Sequence, residues 1–388
     1  MNRTVGILCI GIISSGLGMG PANSLAERSD SARAAELVTL LNAPDYKVRE
    51  QATEALIQMG TASLEAIVAS RDSSSLETRL RSERIFDAIQ KNELDNQLAL
   101  FLAGVGKPVT FEFPAWDNFA EIVGDSKAAR ELYARMLKRE KDLLITFQHR
   151  RELLDNKLQI RMQTINKFLQ SDRIPTIATI LLMLTDENLQ VDQRYASSIY
   201  NLCTNVALKE YKAASPEQQS LFRSLLKYYF HRQMPGNQYR ELMLAIRYEM
   251  KRDAVKLAEQ MLNSRNVRNY IQYTMWTIAE WGDASQVKML EKHLENSQTV
   301  MHKSIRDPKT RRHTRYQIQM RDIALCALLI LTKQNPEKYG MKNIESTKNS
   351  PNQLPTFIFE SQTKRAEGLK KWEDYRARQA KEADGVKT

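Results

Sequence analysis

Along residues 34–60, AAELVTLLNAPDYKVREQATEALIQMG, apolar side chains recur three and four positions apart, stop at Asn42-Ala43-Pro44-Asp45, and resume. That spacing lays one apolar stripe on each of two short helices. The first covers 32–42, with Ala35, Leu37, Val38, Leu40 and Leu41 on its apolar face. Pro44 has no N–H to donate, so it suits the opening of the next helix better than an interior. Asp45 offers a carboxylate to the uncapped N–H groups of that helix. Val48, Ala52, Ala55, Leu56 and Met59 form its face, and Gly60 is a left-handed stop.

The pattern then returns. Leu64, Ile67 and Val68 mark a third helix, Asp72-Ser73-Ser74-Ser75 a turn, and LETRLRSERIFDAI a fourth helix. Thr78-Arg79 lie 30 positions after Val48-Arg49, and Ser82, Ile85, Phe86 and Ile89 lie 30 after Ala52, Ala55, Leu56 and Met59. Paired antiparallel helices stacked side by side make an α-solenoid. PDYKVREQATEALIQMG and SLETRLRSERIFDAI resemble HEAT-type repeats. The resemblance implies that an Asp at the turn and an Arg opening the second helix tie neighbouring units. Asp45, Arg49 and Arg79 stand at those positions, while Ser75 replaces the second Asp.

GVGKPVTFEFPAWD, residues 104–117, breaks the rhythm with two Gly, two Pro and a short β-leaning run. It predicts an extended linker over 104–116, separating a repeat unit at 27–103 from a helical repeat region at 117–340. Helices are expected there at about 117–123, 126–154, 155–171, 174–185, 190–212, 216–232, 237–251, 253–263, 267–281, 284–296 and 316–334. Residues 341–388 read as a polar loop followed by a charged helix anchored by Leu369, Trp372 and Tyr375. The predicted class is therefore all-α: a solenoid with a linker and a charged C-terminal helix. FPAWDNFAEIVGDSKAARELYARML, RDIALCALLILTKQNPEKYG and GLKKWEDYRA resemble segments of secreted proteins common in planctomycete bacteria. Those proteins join an amino-terminal HEAT-like unit to a longer helical region, and the resemblance carries no activity.

The amino terminus changes the picture of where the protein works. Arg3, an uncharged apolar run from Val5 to Met19, and small-residue patterns at Ala22-Asn23-Ser24 and Ser24-Leu25-Ala26 predict a signal peptide over 1–26. The run is short for a spanning helix and contains four glycines, so cleavage is expected over an uncleaved membrane anchor. The mature chain is expected to be periplasmic or secreted, with no transmembrane segment.

Charge and chemistry narrow the function. The net charge of +11 favours acidic partners. For an exported chain these are a protein or an acidic envelope polymer rather than nucleic acid. The strongest local excess is HKSIRDPKTRRHTRYQIQMR at 302–321, expected as a loop between two helices. Lys303, Arg306, Lys309, Arg311, Arg312 and Arg315 form a candidate polyanion site there, with Tyr316 to stack, and Arg150, Arg151 and Arg232 are secondary contributors. Tyr228, Tyr229 and Phe230, and the set Tyr270, Tyr273, Trp276 and Trp281, read as core packing, with a ligand groove as the alternative. Arg321 and Asp322 read as architecture, Asp322 as a helix-dipole partner and Arg321 as half of an interhelix pair.

None of the five histidines has metal-ligand spacing to another, and GxSxG, HExxH, CxxC and phosphate-cradling Gly loops do not occur. Cys203 and Cys326 sit in apolar helical patterns, as free thiols or as a pair. No cofactor, metal or catalytic residue is expected. The reading is an exported, non-enzymatic binding or scaffold protein. The alternatives are a structural subunit of an envelope assembly and, behind it, an enzyme with a site formed between helices.

Overall fold

The computed structural model describes residues 21–107, 111–165, 173–189, 193–232, 237–264, 270–306, 311, 313–344 and 354–385. The chain is mostly helical, with a few short strands, and divides into two compact units, Met1–Glu112 and Phe113–Thr388.

The first unit holds α1 (Pro21–Leu40), α2 (Tyr46–Met59), α3 (Leu64–Ser70) and α4 (Leu76–Ala103). Ala34, Leu41, Ala52, Leu56, Ile67, Ile85 and Ile89 close its core. Asp45 caps α2, accepting from the Lys47 N–H at 2.7 Å. Ser75 caps α4 by accepting from the Thr78 N–H at 3.3 Å, and its hydroxyl donates to Asn42 Oδ1 at 2.8 Å. An ionised Asp could not make that second bond, because it carries no hydrogen to donate. α1 begins at Pro21, so the expected cleavage positions at 22–26 fall on this helix, and residues 1–20 lie outside the described residues. α4 runs well past Ile89, because Leu98 and Phe101 continue its buried stripe. Gly60 ends α2 at φ +59°, a conformation that a side chain resists.

The second unit opens with α5 (Trp116–Val123), α6 (Lys127–His149), α7 (Leu154–Thr164), α8 (Ile174–Met183) and α9 (Gln193–Asn201). A π-helical turn, Leu202–Ala207, joins α9 to α10 (Leu208–Ala213). α11 (Pro216–His231), α12 (Gln238–Arg247), α13 (Lys251–Leu262), α14 (Ile271–Trp281) and α15 (Val287–Glu291) follow. Next come β1 (Thr299–Arg306), β2 (His313–Gln319), α16 (Met320–Leu331), β3 (Lys342–Asn343), β4 (Phe357–Ile358) and α17 (Gln362–Gly385). The helix expected over 126–154 stops at His149, where Arg150 leaves helical geometry (φ −144°, ψ 55°). Gly282 stops α14 for a different reason from Gly60. Its φ is −78°, but an added Cβ would lie 2.5 Å from the Ile278 carbonyl oxygen.

The main departure from the expected architecture is at 299–319. The expected basic loop is an antiparallel ribbon, with Lys303 opposite Tyr316, Ser304 opposite Arg315, Ile305 opposite Thr314 and Arg306 opposite His313. Helix α16 accordingly begins at Met320 rather than 316. The alternation Thr314, Tyr316, Ile318 against His313, Arg315, Gln317 has period two, the strand signature.

α16 is deeply buried, with Ile323 to Leu329 all below one per cent exposure. α17 packs on it through Arg365, whose guanidinium meets Asp322 at 2.6 and 3.0 Å, and Trp372 of α17 is buried at 1% exposure. Trp372 Nε1 and Arg376 Nε both donate to Glu291 Oε1, at 3.1 and 2.8 Å. Among the described residues no helix is long and apolar enough to cross a membrane.

Candidate functional site

Strand pairing sorts the basic stretch onto two faces, because directly opposed residues point the same way. Met301, Lys303 and Ile305 share a face with Ile318, Tyr316 and Thr314. Ile318 is buried there, and Met301, Lys303, Ile305 and Tyr316 are half-buried. His302, Ser304, His313, Arg315 and Gln317 form the opposite face, all of them exposed. Arg306 holds the register position opposite His313. Ser304 Oγ and His313 Nδ1 lie 3.3 Å apart across the strands. Gln317 donates to Thr299 Oγ1, and its backbone oxygen accepts from Arg365 Nη2 at 3.2 Å, which ties the ribbon to α17.

The expected site residues are thus not one patch. Arg315 faces outward, and Arg311 is exposed with φ +57°. Lys303 and Tyr316 stand on the other face, so Tyr316 does not stack beside Arg315. Lys309 and Arg312 lie outside the described residues. His302 and His313 join Arg315 on the outer face.

Two of the three secondary arginines serve the fold. Arg232 donates to the backbone oxygens of Leu184, Asp186, Glu187 and Leu189 at 2.8, 2.9, 3.4 and 2.8 Å. Arg151 lies over Phe147 and 3.5 Å from Asp186; Arg150 is exposed at the end of α6. Arg321 bonds Gln319 Oε1 at 2.6 Å rather than a helix carboxylate. Asp322 does act at the helix start, accepting from the Gln319 N–H at 2.9 Å, and it also holds Arg365, a partner 43 residues away.

In the first unit, Arg49 and Arg79 do the same job 30 residues apart. Arg49 Nη1 donates to the Ala43 and Pro44 oxygens at 2.7 and 2.9 Å, and Arg79 Nη1 to those of Ser73 and Ser74 at 2.7 and 3.2 Å. Asp45 does not pair with Arg49; its carboxylate caps α2, while Arg49 Nε lies 3.3 Å from Glu77 as an ion pair without hydrogen-bond alignment. The stronger tie between the two helix pairs is Arg81, which sequence reasoning passed over. It donates to Glu77 at 2.6 Å, Glu50 at 2.7 Å and Thr53 at 3.1 Å, and its hydrogen bonds hold both carboxyls below the usual carboxylate range.

The aromatic sets pack. Tyr229, Phe230 and Trp276 are buried, and Tyr239 stacks on Tyr270 with centroids 4.2 Å apart. Tyr228 alone of its run turns outward, 43% exposed, edge-on to His231. Cys203 and Cys326 are buried free thiols; burial pushes the first up to about 12 and the second higher. Among the described residues no three His, Cys, Asp or Glu side chains cluster to hold a metal.

Several cavities open on the second unit among the described residues. One of about 270 Å³ is walled by Leu132, Ile174, Tyr211 and Phe222. A second, of about 770 Å³, lies beside Tyr228, Lys227, His231 and Glu187. A third, of about 540 Å³, lies between α6 and α7. No family model matches the chain, and neither a curated protein nor a solved structure does.

Proposed function

We propose that the protein is an exported, non-enzymatic binding or scaffold protein that presents helical surfaces and a basic ribbon to an acidic polymer or protein. In this reading the first unit is a HEAT-like stack and the helices of the second continue a repeat architecture. The observation that carries it is the outer face of the β1–β2 ribbon. His302, Ser304, His313, Arg315 and Gln317 are all exposed on one side of an element whose other side packs against the protein. Cations fixed on a strand pair, rather than on a free loop, lose less entropy when they engage a partner.

The test is retention on beads carrying an acidic polysaccharide, run across a salt gradient. The wild type is compared with a variant carrying Arg306, Arg311 and Arg315 as Ser. Wild type should elute later, and the variant should show a shallower salt dependence, since fewer counterions are released. Identical elution would remove the ribbon from the reading. Recovery of the chain from the cytosol with residues 1–26 intact would remove export.

A further inference from the structure

Helix α11 buries Leu221, Phe222, Leu225, Leu226, Tyr229 and Phe230, and it carries a second stripe of a different kind. Ser224, Lys227, Tyr228 and His231 stand three and four positions apart, so they share one face over two turns. All four line the cavity of about 770 Å³. The facing wall is the segment that follows α8, with Thr185 and Glu187 in the lining. Arg232 joins the two walls. It lies one turn beyond Tyr228, and its bonds to the backbone oxygens of Leu184, Asp186, Glu187 and Leu189, at 2.8 to 3.4 Å, pin that segment against the end of the helix. The cavity is therefore framed by bonded backbone. Its volume falls within the range of small-molecule sites, about 300–1,000 Å³.

The groups in the lining are mixed in kind. Arg232 is spent on the carbonyls, so it gives the cavity no loose cation. Lys227 and His231 can donate and the Glu187 carboxylate can accept, and neither Lys227 nor Glu187 makes an ion pair among the described residues. The Thr185 hydroxyl donates to the Leu182 oxygen at 2.7 Å and keeps its lone pairs, and Ser224 supplies a second hydroxyl. Among them stands Tyr228, 43% exposed, its ring edge-to-face with His231 at 6.4 Å between centroids. Opposite charges in one lining do not select a simple ion. They select a ligand whose groups both donate and accept, as hydroxyls do. The tyrosine ring adds a flat apolar surface with only two side-chain torsions to freeze. A pyranose matches both features: its hydroxyls lie around its edge, and its axial C–H bonds give it an apolar face that lies on an aromatic ring.

We propose that this cavity binds one pyranose unit of a saccharide, with Tyr228 against the apolar face of the sugar and Glu187, Lys227 and His231 bonded to its hydroxyls. The site does not depend on the ribbon. A sugar held by stacking and by neutral hydroxyls is nearly insensitive to salt, whereas contacts between a basic surface and a polyanion weaken as salt rises.

The test is titration calorimetry with maltose, cellobiose and chitobiose at low and at high salt, and with glycerol as a control that has hydroxyls but no ring. The proteins are wild type, Tyr228→Ala, Tyr228→Phe, and Arg311→Ser with Arg315→Ser. At least one disaccharide should bind wild type and the ribbon variant alike at both salt levels. Tyr228→Ala should bind it about tenfold or more weakly, and Tyr228→Phe, which keeps the ring, should bind it as wild type does. The Tyr228 side chain is exposed, so circular dichroism and melting should show both variants folded as wild type. Four results would overturn the proposal: no binding of any disaccharide, equal binding by Tyr228→Ala, binding by Tyr228→Phe as weak as by Tyr228→Ala, or equal binding of glycerol. Absence of polysaccharide retention with disaccharide binding intact would instead strike the ribbon reading alone.

Discussion

Residues 302–321 and 362–385 look alike in the chain: both are rich in Lys and Arg and thin in apolar anchors. Their charges have opposite fates. The ribbon turns Arg315 and two histidines to solvent, whereas α17 drives Arg365 to 4% exposure against Asp322 at 2%. The difference lies in what each segment meets. α17 meets a carboxylate already fixed at the first turn of α16, so a guanidinium can be buried with its charge and hydrogen bonds satisfied. The ribbon's outer face stays exposed, with no carboxylate bound to Arg315 among the described residues. A positive residue becomes architecture where a buried acceptor awaits it, and surface where none does. Arg81, Arg161 and Arg232 follow the first course.

The largest expected effect tests that rule. Asp322→Ala leaves Arg365 charged and buried without its partner, and should cost about 3–5 kcal/mol in urea unfolding. The double change Asp322→Leu with Arg365→Met should recover most of it; a double variant as weak as the single would show that the pair's charge was not what mattered. Trp372→Ala removes the other anchor of α17 and should cost about 3–5 kcal/mol by the same measurement. A loss below about 1 kcal/mol would mean that α17 is held by its ion pairs alone.

Glu241 sharpens the comparison because it is a buried carboxyl with no ion pair among the described residues. It is 1% exposed and accepts from Asn237 Nδ2 at 3.1 Å, and burial pushes its pKa up to about 7 from the usual 4.5. Between those values the folded protein holds a proton that the unfolded chain has released. Stability from this group is therefore fully present below the unfolded value, falls as pH rises through the window, and is lost above about 7, by at most about 3 kcal/mol. Glu241→Gln should accordingly raise the melting temperature at pH 8 and leave it unchanged near pH 4. No gain at pH 8 would mean that the carboxyl finds a cation in solution. The smallest effect belongs to the ribbon. Arg315→Ser should change stability by no more than about 0.5 kcal/mol in the same urea assay, since its side chain is exposed.

Much of the helical content was legible, and for a definite reason. α2 begins after Pro44-Asp45 and ends at Gly60, as its punctuation states, and α11 opens on Ser215-Pro216 with a capping box. Cap, breaker and stripe are all local, so they survive in the linear chain. The ribbon was not legible because the alternation in HTRYQIQ lies within a run of charges, and because the strand needs Thr299–Arg306, outside its own segment, as its partner. The candidate site suffered the same way: a count of cations over 303–316 cannot say that Lys303 and Tyr316 face away from Arg315. The break in α6 was invisible for a different reason, since nothing local in KREKD announces that Glu140 leaves the helix to meet Arg161 and Thr176.

By itself, the sequence determined that the chain is mostly helical, where many of its helices start and stop, and that Arg49 and Arg79 occupy equivalent places. These follow from backbone capping and hydrophobic period, which act within a few residues. Only the tertiary structure decided which charges are buried and which are offered outward. Asp322 and Arg365 are 43 residues apart, Glu140 and Thr176 are 36 apart, and Glu50 and Arg81 are 31 apart. A charge enters the interior only when its partner arrives from elsewhere in the chain to compensate the lost water, and that meeting is a property of packing.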